Sequence, residues 1–164
     1  MSLRRRVALR LRAAGVPSPD ADAAALIEYV SGSRSPFVEL AAEQEAQLED
    51  LVAKRCRRVP LQHLTGSAGF RYLDLEVGPG VFVPRPETEV LVDIALQEPF
   101  DRAVDLCTGS AAIALSLAME TGADVVAVEV DPLALQWARR NAAGRVEVLV
   151  ADVCADDLSH LGPV

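Results

Sequence analysis

Cysteine and histidine are scarce in this chain of 164 residues, which contains only Cys56, Cys107, Cys154, His63 and His160. The cysteines are odd in number and widely separated, so the sequence excludes a framework of disulfide bonds. Neither histidine lies in a cluster of ligand residues at a spacing typical of zinc sites. We therefore expect no bound metal ion, and the free thiols indicate a reducing compartment such as the cytoplasm.

Long apolar segments are also missing from the chain. No apolar run approaches the roughly 18 residues that suggest a membrane-spanning helix. The basic segment 4–6 is not followed by the apolar stretch of a secretory signal peptide. Aromatic residues make up only 4% of the chain, whereas hydrophobic residues make up 51%. The sequence therefore predicts a globular protein with an aliphatic core and no membrane partner.

Positive charge is in deficit, because 16 lysines and arginines stand against 24 aspartates and glutamates, for a net charge of −8. The excess of acidic residues lies after residue 60. A nucleic-acid groove requires clustered cations, so we expect no direct binding of nucleic acid by that part. The local basic group of Arg4, Arg5, Arg6, Arg10 and Arg12 is interpreted as the solvated surface of a helix.

Residues 1–58 have the pattern of a small helical domain. Leu3, Val7 and Leu11 recur at helical spacing, and Ser18-Pro19 is typical of a helix start with proline at the first position. A third predicted helix, with acidic residues early and basic residues late, ends before Pro60.

Residues 59–84 change character and predict a β-hairpin that links two domains. Apolar and acidic residues alternate over 73–77, the period of a half-buried strand. Gly78-Pro79-Gly80 is typical of a turn, and Val81-Phe82-Val83 is predicted to form the second strand. The following segment, 86–97, predicts a helix.

Residues 85–164 are predicted to form the second domain, in which strands and helices alternate. Strands are expected at 103–106, 124–129 and 146–150, with helices between them. Continuous apolar strands separated by helices predict an α/β fold with a parallel sheet covered on both faces.

The turn after the first of these strands has features of a nucleotide-type cofactor site. Thr108, Gly109 and Ser110 are small, so a ligand can approach the backbone, and the next helix offers free N–H groups. Glu129 ends the second strand, where an acid in a doubly wound sheet accepts hydrogen bonds from ribose hydroxyls. Asp152 ends the third strand and is predicted either to reach the cofactor or to cap a loop.

These elements fit dinucleotide enzymes as well as S-adenosylmethionine (SAM) enzymes, and three segments separate the two classes. Residues 61–66 read Leu-Gln-His-Leu-Thr-Gly, residues 77–89 include Pro84-Arg85-Pro86-Glu87-Thr88-Glu89, and residues 105–115 begin Asp-Leu-Cys-Thr-Gly-Ser-Ala. Together they resemble the HemK/PrmC-type release factor glutamine methyltransferases, for which the Pro-Arg-Pro-Glu-Thr-Glu segment is specific. The resemblance extends to Asn141 and Ala142. It implies the first half of a Rossmann-like, SAM-dependent methyltransferase sheet behind a helical substrate-recognition domain.

The resemblance also implies an activity and a set of site residues. The activity is methyl transfer from SAM to the side-chain amide nitrogen (N5) of the glutamine in the Gly-Gly-Gln motif of peptide chain release factors. Arg85 and Glu87 would lie on the substrate side, unless Arg85 only pins the hairpin by pairing with a carboxylate. The implied cofactor-binding residues are Asp105, Cys107, Thr108, Gly109, Ser110, Ala111, Glu129, Asp152 and Val153.

The sequence departs from the family in three places. Cys107 and Ala111 stand where glycine is usual, and the methyl group of Ala111 would either crowd SAM or be accommodated by a small shift. The largest departure is the family's Asn-Pro-Pro-Tyr segment, which binds the substrate amide and does not occur in this sequence. We therefore expect a chain truncated before that segment, with no catalytic residue of its own and with an open edge on its first parallel strand.

Two alternatives stay open beside the release-factor function. The parent protein could methylate adenine amino groups of DNA or RNA, a reading that the acidic second half disfavours. Alternatively, the 164-residue chain could bind release factor or SAM without catalysing methyl transfer.

Overall fold

A computed structural model describes residues 1–35 and 37–161. The chain divides into two compact units, Met1–Thr65 and a second unit that begins at Gly66. Within its described residues, the first unit contains the helices Leu3–Ala13 (α1), Pro19–Ser31 (α2), Ala42–Cys56 (α3) and Leu61–Thr65 (α4).

The first unit is held together by an aliphatic core and a shielded ion pair. Val7, Leu11 and Val52 are at most 1% exposed, so α1 and α3 share one core. Arg55 on α3 donates to the carboxylate of Asp22 on α2 at 2.7 Å, and both side chains are largely shielded from solvent. The core and the ion pair together fix the packing of the helices. The helix start at Pro19 agrees with the prediction.

The helical unit extends seven residues beyond the predicted domain boundary at residue 58. The carbonyl of Pro60 accepts hydrogen bonds from the N–H groups of His63 and Leu64, which begins the short helix α4. Leu64 is buried in the core of the helical unit. The helix α3 already ends at Cys56, and Pro60, which has no N–H to leave unpaired, suits the position just before α4.

The second unit contains two sheets and three α-helices within its described residues. Two 3-10 turns, Pro86–Thr88 and Ser159–Leu161, accompany them. The other elements are Ser67–Phe70 (β1), Leu73–Glu76 (β2), Glu89–Ala95 (α5), Arg102–Leu106 (β3), Ala112–Thr121 (α6), Asp124–Glu129 (β4), Pro132–Ala142 (α7) and Glu147–Val150 (β5).

The hairpin pairs different strands from those predicted. β2 pairs in antiparallel fashion with β1, which precedes it, and Phe70 lies opposite Leu73. The predicted pairing of residues 73–77 with 81–83 is therefore wrong. Residues 77–83 instead pack on α7, where Val77 and Val81 form a buried cluster with Ala134.

The tip of the hairpin is fastened by Arg71. Its guanidinium forms a bidentate pair with Glu120 on α6, at 2.6 and 2.8 Å, and also pairs with Asp93 on α5. Its backbone N–H donates to the Glu89 carboxylate at 3.0 Å. The hydrogen bonds that the guanidinium donates to Glu120 and Asp93 raise the pKa of Arg71 above its ordinary value. The last residue of the Pro-Arg-Pro-Glu-Thr-Glu segment, Glu89, thus has a structural contact that the sequence did not reveal.

The three-stranded sheet has the parallel order β3-β4-β5. On one face, Val125 and Ala127 pack with residues of α6 and α7, so both connecting helices cover the same side. On the opposite face, Val126 and Val128 are buried against the segment after β5, which includes Ala151, Leu158 and Leu161. This arrangement brings the turn after β3 and the end of β4 to the same edge of the sheet.

The helix α5 buries one side chain and exposes an apolar face. Val92 is fully buried, whereas Val90, Leu91 and Ile94 are each more than half exposed. This apolar face is open in the described part of the chain.

Candidate functional site

The candidate site lies where the carboxyl ends of β3 and β4 meet. The N–H of Thr108 donates to the carbonyl of Val128 at 2.9 Å, and the N–H of Gly109 donates to the Glu129 carboxylate at 2.9 Å. These bonds place the turn of residues 107–111 directly beside Glu129. The structure thus brings the two main predicted site elements together.

The backbone of the turn explains why glycine is expected in it. Cys107, Gly109 and Ala111 have φ values of 60°, 60° and 64°, in the left-handed region that side chains disfavour. Cys107 is exposed, whereas Ala111 is fully buried in the core that contains Leu115. The methyl group of Ala111 therefore lies in the core of this unit.

Asp105 stabilises the turn through hydrogen bonds. One of its oxygens, Oδ2, accepts hydrogen bonds from the Thr108 hydroxyl at 2.6 Å and from the Ala114 N–H at 3.1 Å. Burial raises the pKa of Asp105 above its ordinary value of 3.8; these two hydrogen bonds oppose the increase, and the nearby charge of Glu129 adds to it. The carboxyl group thus positions both the turn and the start of α6.

Glu129 is 92% buried, and its carboxylate is largely occupied by backbone donors. Its Oε1 accepts the N–H groups of Val130 and Asp131 at 2.9 and 3.0 Å, and its Oε2 accepts that of Gly109. Hydrogen bonds to charged groups contribute about 1.5–3 kcal/mol each. Glu129 therefore fixes the turn and the start of α7.

Asn141 links three segments around the turn and was missed as a structural residue. Its side-chain oxygen accepts the N–H of Glu76 at 2.8 Å, and its amide group donates to the carbonyls of Glu76 and Ser110, both at 3.0 Å. Ser110 is buried, so its contribution to the surface of the turn is small. Asn141 joins α7, β2 and the turn.

The two glycines of the Gly78-Pro79-Gly80 turn allow close contact with α7. A Cβ atom on Gly78 would lie 2.5 Å from Cζ2 of Trp137, and one on Gly80 would lie 2.5 Å from Cβ of Leu133. The indole N–H of Trp137 also donates to the carbonyl of Pro79 at 3.2 Å. Residues 78–80 are therefore held against α7 by contacts that only glycine permits.

Asp152 and Val153 follow β5, at the same edge of the sheet. The carboxylate of Asp152 accepts the N–H of Cys154 at 2.9 Å, while the Asp152 N–H donates to Asp156 at 2.7 Å. Asp152 therefore caps a local turn, which is one of the two roles predicted for it. Val153 is partly exposed beside it.

Arg85 and Glu87 are exposed, in the segment that leads into α5. Within the described residues, the guanidinium of Arg85 stacks over the ring of Phe82, 5.4 Å from its centroid, rather than pairing with a carboxylate. A carboxylate clamp by Arg85 on the hairpin is therefore not part of this structure.

The described residues show neither a metal site nor a membrane-spanning helix. These residues contain no group of three or more histidine, cysteine, aspartate or glutamate side chains that could hold a metal ion. In the same part of the chain, no helix is both long enough and apolar enough to cross a membrane.

The sequence of this chain is similar to a known family of proteins. Residues 2–66 match the family model described as PrmC N-terminal domain. The chain is 54% identical over 157 residues to the release factor glutamine methyltransferase of Mycolicibacterium smegmatis, covering 90% of this chain and 56% of that protein. The predicted resemblance is confirmed. The release factor glutamine methyltransferase of Streptomyces coelicolor is 49% identical, with 87% of this chain and 54% of that protein covered.

The chain thus spans about half the length of the curated release factor glutamine methyltransferases that it matches. Among solved structures, an RNA methyltransferase from Salinibacter ruber in complex with S-adenosyl-L-homocysteine is 30% identical and covers 48% of this chain and 55% of that chain. Its TM-score of 0.41 is too low to transfer a fold or a ligand.

Proposed function

We propose that the protein to which this chain belongs is a SAM-dependent methyltransferase that acts on the glutamine side-chain amide of the Gly-Gly-Gln motif in peptide chain release factors. The observation that carries this proposal is the 54% identity to a protein named for that activity, over 90% of the chain. The turn beside Glu129 supports it, because a small-residue turn next to a strand-end carboxylate suits a nucleoside cofactor.

The proposed cofactor contacts fall into three groups along the edge of the sheet. The turn from Cys107 to Ala111 would surround the methionine part of SAM, mainly through its backbone, and Asp105 would hold this turn in place. Glu129 would accept the ribose hydroxyls, and Asp152 and Val153 would flank the adenine. A carboxylate that accepts hydroxyl groups forms strong, charge-assisted hydrogen bonds.

Arg85 and Glu87 are proposed to meet the release factor. Both side chains are exposed, and the segment that carries them is anchored at its other end through Glu89. An exposed charge on an anchored backbone can contact a partner at a small entropic cost. The helical unit is proposed to contribute to the same recognition, and the cytoplasm, where release factors act, is the proposed location.

Methyl transfer to release factor is the direct test of the proposal. The full protein is incubated with methyl-labelled SAM and purified release factor, and label is located by peptide mass spectrometry. We expect label on the glutamine of the Gly-Gly-Gln motif, and none on a release factor in which alanine replaces that glutamine. Label on nucleic acid in place of the release factor would contradict the proposal.

A further inference from the structure

The number of donors around Glu129 limits how this carboxylate can receive a ligand. A carboxylate offers about four acceptor positions, two on each oxygen. Val130 and Asp131 occupy both positions of Oε1, and Gly109 occupies one position of Oε2. One acceptor position, on Oε2, is left. Because the side chain is 92% buried, it has little freedom to present its oxygens differently.

Two adjacent hydroxyl groups need two acceptor positions, so one of the three N–H donors must leave. Val130 and Asp131 directly follow Glu129, and the Asp131 side chain caps α7 by accepting the N–H of Leu133 at 2.8 Å. Their donors are therefore fixed by the strand-to-helix connection. Gly109 comes from another segment, and a Cβ atom added to it would meet only Val81, at 4.0 Å. The backbone of Gly109 is thus uncrowded on the side where a Cβ atom would stand, and its N–H is the one donor of the three that does not directly follow Glu129 in the chain.

We propose that a ligand with two adjacent hydroxyl groups displaces the Gly109 N–H from Glu129. Gly109 is then a positioning residue, whose amide donates to the Glu129 carboxylate and yields that acceptor position to a vicinal diol. A ligand with a single hydroxyl at this place uses the free position on Oε2 and leaves the Gly109 bond intact. This inference rests on the proposed function, since it takes the ribose of SAM as the diol.

The test compares two ligands that differ by one hydroxyl group. The full protein is labelled with nitrogen-15 and titrated with S-adenosyl-L-homocysteine or with its 2′-deoxy analogue, while calorimetry records binding. With the first ligand, we expect the Gly109 amide proton to shift upfield as it loses its charged acceptor, whereas those of Val130 and Asp131 stay in place. With the 2′-deoxy analogue, we expect binding without that shift at Gly109. Both ligands carry adenine, so the difference between them isolates the diol.

A variant supplies the reference position for a displaced Gly109 amide. Glu129→Gln keeps the size of the side chain but replaces one acceptor oxygen by a donor. The new NH2 group is expected at the position of Oε2, where it meets only the N–H of Gly109. At the position of Oε1 it would meet two N–H groups, those of Val130 and Asp131. The ligand-free variant should therefore show the upfield Gly109 resonance already.

The outcomes separate this inference from the proposed function. Binding of S-adenosyl-L-homocysteine with an unshifted Gly109 amide would overturn the inference and leave the proposed function standing. The same holds if both ligands shift Gly109 equally. If neither ligand binds, the proposed function fails and the inference fails with it.

Discussion

Glycine substitutions at Cys107 and Ala111 should have different effects, although both residues adopt nearly the same backbone conformation. Their φ values are 60° and 64°. A non-glycine residue in the left-handed region costs about 1–2 kcal/mol. Glycine removes this strain but gives the unfolded chain more freedom, which costs about 0.4–1 kcal/mol. For the exposed Cys107, we expect Cys107→Gly to stabilise the protein by about 0.5–1 kcal/mol.

For the buried Ala111, the same gain is opposed by the loss of packing. Its side chain is fully buried, and removing one buried methyl group costs about 0.8 kcal/mol. We therefore expect Ala111→Gly to leave the free energy of unfolding nearly unchanged, within about 0.5 kcal/mol. Urea unfolding of the chain, followed by the fluorescence of its single tryptophan, measures both effects in the same unit.

Cys154→Gly is the matched control, because Cys154 is also exposed but lies outside the left-handed region. Here only the greater freedom of the unfolded chain applies, so we expect a loss of about 0.4–1 kcal/mol. The reasoning is refuted if Cys107→Gly destabilises the protein as much as Cys154→Gly does. It is also refuted if Ala111→Gly stabilises the protein as much as Cys107→Gly.

Three further predictions concern the turn and its supports. Asn141→Asp should lower the free energy of unfolding by about 2–3 kcal/mol, because a carboxylate then faces two carbonyls. Urea titration measures this loss. For the control Gln136→Glu, on the exposed side of the same helix, the free energy of unfolding should change little. Gly78→Ala should lower the free energy of unfolding by about 1–3 kcal/mol, because the added methyl group overpacks against Trp137, and it should shift the emission spectrum of that tryptophan. Gly69→Ala, at a position with open space around the added methyl group, should leave the spectrum unchanged. Asp105→Asn can keep both hydrogen bonds, since one oxygen accepts both. Because the folded-state pKa of Asp105 is raised, the wild type should lose stability relative to this variant as pH rises above 3.8, and parallel stability curves across that range would contradict the expectation.

The parallel strands and their helices could be predicted because their signals are local. Residues 125–128 of β4 are a continuous apolar run, and Asp131-Pro132 is a local cap and start for α7. The hairpin could not be predicted in the same way. β1 has one large apolar residue, Phe70, and the chain reverses at Arg71, which carries no glycine or asparagine signal for its positive φ.

The candidate site was predictable in position but not in its internal bonding. The small-residue turn and the acid at the end of the second strand were both named from the sequence, and the structure brings them together. The occupation of Glu129 by three N–H groups depends on turn geometry, which composition does not reveal. Asn141 bonds to Glu76, 65 residues away, and no local pattern signals a contact over that distance.

The fastening of the hairpin tip by Arg71 has a consequence for engineering this protein. Arg71 has a φ of 50°, so a redesign guided by backbone angles alone would replace it with glycine, just as it would replace Cys107. The replacement would remove the guanidinium that Glu120 on α6 and Asp93 on α5 share, and both carboxylates would lose their cationic partner. A positive φ thus marks one position where glycine should help and another where the side chain contributes more than glycine would.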